Sequence, residues 1–181
     1  HCTDGNYIYG KNVIGELTYT VINGVMTLSG TGAVPAGASW VREAYGVHTL
    51  VLRSGVTAVG ENAFRDFGSL KEVYFVGDET AWEAFQEQVQ AGNDPLLDAA
   101  VTLAVSGDCG EAAAWSLSED ETVLTISGSG PMADYRSAKE APWRYSADAV
   151  TTLRVESGVT TLGDYAFQNF RNLTDVRLPA S

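Results

Sequence analysis

Basic residues are scarce: Lys and Arg number 11 in 181 residues, against 23 Asp and Glu, for a formal net charge of −12. A surface of that sign repels phosphate backbones, so nucleic acid is not an expected partner. No apolar run approaches the ~20 residues that a helix needs to cross a bilayer. Nor is there a basic start followed by an apolar stretch and a cleavage site. The chain reads as soluble, with no membrane insertion expected.

Cysteine is nearly absent as well. Cys2 and Cys109 form no C-x-x-C, and the two histidines, His1 and His48, lie far apart in sequence, so no Cys/His metal cluster is spelled out. A Cys2–Cys109 disulfide requires Cα atoms within about 7 Å and an oxidising compartment. If each cysteine opens an equivalent unit of a stacked array, they sit several strands apart. Two free or individually buried thiols are then the expectation.

Catalytic signatures are missing. There is no G-x-S-x-G, H-E-x-x-H or P-loop. Gly30-Thr31-Gly32 and Gly128-Ser129-Gly130 have no third glycine and no following helix, and read as strand-end turns. Cys109 has no histidine in its own half of the chain to act as its base. Carboxylates are plentiful, but none is singled out as an acid/base pair. No enzyme, cofactor or metal is expected. Glu119-Asp120-Glu121 is rich in oxygen ligands but has neither the alternating Asp/Asn spacing nor the glycine of a calcium loop. It reads as a solvated hairpin tip. Asn172-Leu173-Thr174 matches a glycosylation sequon, discounted because Leu173 falls on an apolar position of the repeat described next.

What is abundant is repetition. Glycine occurs 19 times, and 45% of the residues are hydrophobic, as in a core-forming chain with many tight turns. Leu50-Val-Leu-Arg-Ser-Gly-Val-Thr-Ala-Val-Gly-Glu-Asn-Ala-Phe64 returns as Leu153-Arg-Val-Glu-Ser-Gly-Val-Thr-Thr-Leu-Gly-Asp-Tyr-Ala-Phe167, an offset of 103. The offset holds through Phe67/Phe170, Leu70/Leu173 and Val73/Val176, and Trp40 returns as Trp143. Upstream, Leu28-Ser-Gly-Thr-Gly32 returns as Ile126-Ser-Gly-Ser-Gly130 at an offset of 98, so the second copy carries five extra residues in between. The expected units are 1–107 and 108–181, joined in one continuous array.

A shorter period runs inside the long one. Apolar pairs at i and i+2 occur at Met26/Leu28, Leu50/Leu52, Val73/Phe75, Val101/Leu103, Leu124/Ile126, Leu153/Val155 and Val176/Leu178. Both members of a pair point to one face of a strand. Their second members are spaced 24, 23, 28, 23, 29 and 23 residues apart. A strand returning at that interval is one coil of a solenoid, whose strands stack about 4.8 Å apart in parallel. After Leu52, Ser54-Gly55 allows a turn, Val56 and Val59 a second extended piece, and Ala63, Phe64, Phe67 and Leu70 one face of a helical turn. The longer connections carry more. Trp82, Phe85 and Val89 predict an amphipathic helix over 80–89 that caps the array, ended by a turn at Asn93-Asp94-Pro95. Segments 17–22 and 25–28 flank Asn23-Gly24 and predict a hairpin with a type I′ turn. Segments 113–117 and 123–126 predict a second hairpin. The end, Leu178-Pro179-Ala180-Ser181, follows a strand with no polar cap, as in an array cut short.

The stretch from Leu153 to Pro179, read as Leu-x-Val-x-x-Ser-Gly-Val-Thr-x-Leu-Gly-x-x-Ala-Phe-x-x-Phe-x-x-Leu-Thr-x-Val-x-Leu-Pro, resembles the BspA-type leucine-rich repeat. Cys109-Gly110, Trp115-Ser-Leu117, the 124–130 run and Ala141-Pro142-Trp143 resemble the lead-in found before such repeats. Val73-Tyr-Phe-Val-Gly77, Ala81-Trp82 and Asn93-Asp94-Pro95-Leu96-Leu97 resemble the helical tail that closes a block of them. The likeness covers nearly everything beyond about residue 17. The first copy departs from it, reading Gly37-Ala-Ser-Trp40 for the Ala-Pro-Trp triplet, and the opening 1–15 has no counterpart.

The resemblance implies a secreted or cell-surface bacterial module that binds or adheres to host or microbial proteins or glycans. The alternative is a structural spacer that positions another domain of a longer surface protein. The expected fold is α/β: a right-handed leucine-rich-repeat solenoid with a parallel sheet of about seven strands, β-hairpins and one short capping helix, handed as parallel crossovers generally are. A monomer is expected. Ligand contact, if any, falls on the aromatic residues of the long loops, Trp40 with Tyr45, and Trp143 with Tyr135 and Tyr145, since aromatics stack on sugars and anchor proteins. The competing reading, favoured by the matched positions of the two Trp residues, makes them core plugs beneath their loops.

Overall fold

A computed structural model of the chain describes residues 11–180. Cys2 and His1 lie outside the described residues. The chain divides into two compact units, His1–Leu103 and Ala104–Ser181. None of its described helices is long and apolar enough to cross a membrane.

In the first unit, β1 (Asn12–Ile14), β2 (Leu17–Ile22) and β3 (Val25–Ser29) pair antiparallel in sequence order. Asn23 and Gly24 both take positive φ, 50° and 75°, as a type I′ turn demands. A Cβ on Gly24 would also lie 2.5 Å from the His48 ring. From β3 onward the pairing is parallel, through β5 (Thr49–Leu52), β7 (Glu72–Phe75) and β8 (Ala100–Leu103). Met26, Leu50, Val73 and Val101 lie side by side, as do Leu28, Leu52, Phe75 and Leu103. The i, i+2 pairs therefore form two apolar ladders on one face. Five of these eight side chains are fully buried, each contributing ~1.5–3 kcal/mol by leaving water.

The coils of β3 and β5 then bend into a second sheet of two strands. Gly30 and Gly32, at φ 103° and 143°, turn the chain from β3 into β4 (Gly32–Val34), which pairs in parallel with β6 (Val56–Val59). The stretch after β6 is a run of turns rather than a helix. Phe67 N–H donates to Phe64 O at 3.1 Å and Leu70 N–H to Phe67 O at 3.0 Å, which keeps Phe64 and Phe67 pointing inward. Helix α1 (Glu79–Gln86) and helix α2 (Asp94–Leu97) follow. The Asp78 carboxylate caps α1 by accepting from Ala81 N–H at 2.8 Å.

The second unit repeats the plan. Strands β9 (Ser106–Asp108) and β10 (Ala113–Leu117) add antiparallel to β11 (Val123–Gly128), and β13 (Thr152–Val155) and β15 (Asp175–Arg177) continue in parallel. Leu124, Leu153 and Val176 share one ladder. A short β12 (Gly130–Pro131) pairs in parallel with β14 (Val159–Thr161).

Several expectations change. The single parallel sheet of about seven strands is instead two mixed sheets, of six and five strands among the described residues, plus two small parallel pairs. The reason is local: β10 occupies the edge of β11 that further parallel stacking would have used. The helix over 80–89 ends at Gln86 because Val89 is taken into a parallel bridge with Val59. Asn93-Asp94-Pro95 opens α2 rather than closing a helix, with Pro in the first turn, where its missing N–H is harmless. Glu121 is not at a solvated tip: it is buried at 4% exposure and accepts from Ser146 Oγ at 3.4 Å. Leu178 falls one residue beyond β15.

Candidate functional site

Both long-loop tryptophans plug the core. Trp40 is 8% exposed and its indole N–H donates to Ala63 O at 2.6 Å; Trp143 is 0% exposed and donates to Ala166 O at 2.7 Å. Each spans 23 residues to its acceptor, so the two copies reuse one lock. Trp40 stacks on Phe64 with centroids 5.2 Å apart and meets Tyr19 and Phe67 edge-on. Trp143 stacks on Phe167 at 5.8 Å and 8°, with Trp115 and Tyr135 edge-on. Trp143 has no surface to offer, and Trp40 offers only an edge, because the indoles fill the space beneath their loops.

That edge, however, borders a hollow of about 350 Å³ in the first unit. Tyr45 flanks it, 42% exposed and leaning on Phe67 at 6.2 Å. Part of the lining is polar: Glu61, Asn62, Arg65 and Asp66. Arg65 and Asp66 pair at 3.5 Å with both side chains largely exposed, an ion pair contributing little to stability and open to exchange for a ligand. The rim's backbone is anchored. Asn62, at φ 58°, donates its N–H to Ala91 O at 2.9 Å, and Glu61 N–H donates to Gln90 Oε1 at 3.1 Å. Aromatic rings together with charged and amide groups lining one hollow can stack on a planar or sugar-like group and hydrogen-bond it.

The second unit has a shallower hollow of about 480 Å³, bordered by Asp108, Cys109, Met132, Tyr135 and Pro142. Cys109 is a free, buried thiol whose pKa rises to about 11, through burial first and the neighbouring Asp108 charge second. It stays protonated at neutral pH, the opposite of an activated nucleophile. Tyr135 is half-buried, and its phenol is pushed to about 12 by burial and then by Cys109. Tyr145 lines neither hollow; its half-buried ring lies 4.6 Å beneath the Arg144 guanidinium. Only Trp40 and Tyr45, of the five aromatic candidates, therefore meet at one polar-rimmed hollow. Among the described residues no three His, Cys, Asp or Glu side chains gather as a metal site would need.

The polar rim escaped sequence reading. Glu61, Asn62, Arg65 and Asp66 occupy the variable positions between Gly60 and Phe67 of the repeat, where a period marks only the apolar residues between them.

Neither a family model nor a curated protein matches the chain. A solved structure, a leucine-rich repeat protein from Eubacterium ventriosum ATCC 27560, is similar at 35% identity and a TM-score of 0.38. The match covers 40% of this chain and 19% of that one.

Proposed function

We propose that the chain is a leucine-rich-repeat binding module of the BspA type, built from right-handed coils and displayed outside the cell or on its surface. It acts without catalysis, as a monomer, and holds a protein or glycan segment in the hollow beside Trp40 and Tyr45. The observation that carries this reading is the pairing of the exposed Tyr45 ring with the polar rim of Glu61, Asn62, Arg65 and Asp66. A large aromatic surface held by neighbouring rings loses little freedom on binding, and adjacent polar groups supply direction.

The test is an array of host-type glycans and extracellular-matrix proteins probed with the folded chain. Saturable binding by at least one member is expected, weakened about tenfold (~1.4 kcal/mol) by Tyr45→Ala and left unchanged by Tyr145→Ala. If a folded chain binds nothing on the array, the binding reading fails and the spacer reading replaces it. If binding persists in Tyr45→Ala, the module binds elsewhere.

A further inference from the structure

Between the landmarks 28–40 and 126–143 the two copies differ by five residues, all in one loop. Gly37 N–H donates to Glu61 O at 2.8 Å in the first unit, and Tyr135 N–H to Asp164 O at 3.0 Å in the second. The chain therefore enters both loops at the same point of the coil. Both loops end at the buried indoles, Trp40 and Trp143. Between those points the first loop has only Ala38 and Ser39, whereas the second has the seven residues 136–142.

The longer loop reaches across to its own coil. Residues 136–140 close a turn, in which Arg136 N–H donates to Glu140 Oε2 at 2.9 Å and Glu140 N–H to Ser137 O at 3.1 Å. From that turn Ala138 N–H donates to Gln168 Oε1 at 3.3 Å. Gln168 stands, at the offset of 103, where the first copy has Arg65. The shorter loop has no turn to lay there. The hollow of about 350 Å³ lies in that gap, lined by Ala36, Gly37 and Ala38 of the loop and by Glu61, Asn62 and Arg65 of the coil. A Cβ added to Gly37 would meet nothing within 4 Å, so the gap is open beside the loop's own backbone. Two lining side chains differ as well. Arg65 offers only donors where Gln168 offers an acceptor, and the exposed Tyr45 has Asp148 as its counterpart. The aromatic ring is present in the copy that lacks the turn.

We infer that the hollow takes a turn of polypeptide from a partner protein, in the place that residues 136–140 hold in the second unit. The turn presents a backbone carbonyl to the Arg65 guanidinium and an apolar side chain to Tyr45 and the edge of Trp40. A glycan suits the gap less well, because the repeat itself builds a polypeptide turn at this point. The inference deepens the reading of the hollow as a binding site, and rests on it.

The experiment probes the full chain with a library of disulfide-closed heptapeptides beside the glycan array. Peptides are expected to be captured, at least tenfold more weakly by Tyr45→Ala and by Arg65→Ala. A third variant fills the gap from within: residues 136–142 replace Ala38-Ser39, together with Arg65→Gln to restore the acceptor. Once circular dichroism shows it folded, it is expected to capture none of the selected peptides, and undiminished capture would overturn the proposal. Capture indifferent to both single substitutions would overturn it too, whether or not the third variant folds. Glycan capture lost in Tyr45→Ala, with no peptide captured, would overturn the turn and leave the hollow as the binding site. Capture of neither class would remove both readings.

Discussion

The carboxamide oxygen of Asn93 accepts the backbone N–H of Phe64 at 2.8 Å, across 29 residues of sequence. The same side chain donates to Gly60 O and Gln90 O, so one amide joins a repeat coil to its cover. Phe64 and Asn93 are both buried, and there an unpaired partner is costly.

Asn93→Ala is therefore expected to lower stability by roughly 1–3 kcal/mol, chiefly from the buried Phe64 N–H left unpaired. Asn172, whose Nδ2 donates to Asp148 O at an exposed site, is the control: Asn172→Ala should cost under about 1 kcal/mol. Urea unfolding of both variants measures the difference. Equal losses would mean that Asn93 is not the fastening.

The two indole locks give a matched pair of tests. Trp40→Phe and Trp143→Phe keep a ring against Phe64 or Phe167 but remove the donor to Ala63 O or Ala166 O. Each is expected to destabilise by ~1–2 kcal/mol, with little effect on ligand capture because neither indole face is open. A loss of binding at Trp143→Phe without a loss of stability would contradict the core-plug role.

Cys109 should resist alkylation. With Cys2→Ser in place, the remaining thiol of the folded chain is expected to react slowly with iodoacetamide at pH 8, and at the ordinary rate once unfolded. Its folded pKa of about 11 lies above the ordinary 9.0, so burial favours the neutral thiol. That contribution is intact below pH 9 and is lost as pH rises toward 11, when the unfolded thiol ionises first. Fast labelling of the folded chain at pH 8 would show the sulfur to be accessible.

Asp120 titrates in the other direction. The hydroxyls of Ser118 and Thr122 donate to its Oδ1 at 2.6 and 2.8 Å, and Thr122 N–H at 3.1 Å, holding its pKa below 3.8. The turn's stabilisation is thus present above pH 3.8 and lost as pH falls through the lowered value. Carboxyl NMR titration should show this, with Ser118→Ala moving the value back up. An unchanged pKa in that variant would remove the serine hydroxyl as the main cause.

The apolar ladders were legible in advance because strand geometry has a period of two and the coil returns at a nearly constant interval. Met26, Leu50, Val73 and Val101 could be aligned without coordinates. The Asn23-Gly24 turn was legible for the same local reason, since its backbone needs residues that tolerate positive φ. The apolar spacing over 80–89 overstates the helix, because no local signal in Gln86 to Val89 announces that Val59 will recruit Val89 into a bridge. Glu121 was misplaced for a similar reason: Ser146, its hydroxyl donor, lies 25 residues away.

By itself, then, the sequence determined the repeat, the strand faces, the hairpin turns and the matched tryptophans, all properties of short windows and fixed periods. Tertiary structure decided where the sheet is interrupted, that both indoles are buried, and that Tyr45, Glu61, Asn62, Arg65 and Asp66 line one hollow. It also decided that Val73 is buried in one cluster with Trp82, Phe85 and Leu96. Identical motifs specify identical coils. What covers a coil depends on residues far along the chain, and that contact exists only once the chain has folded.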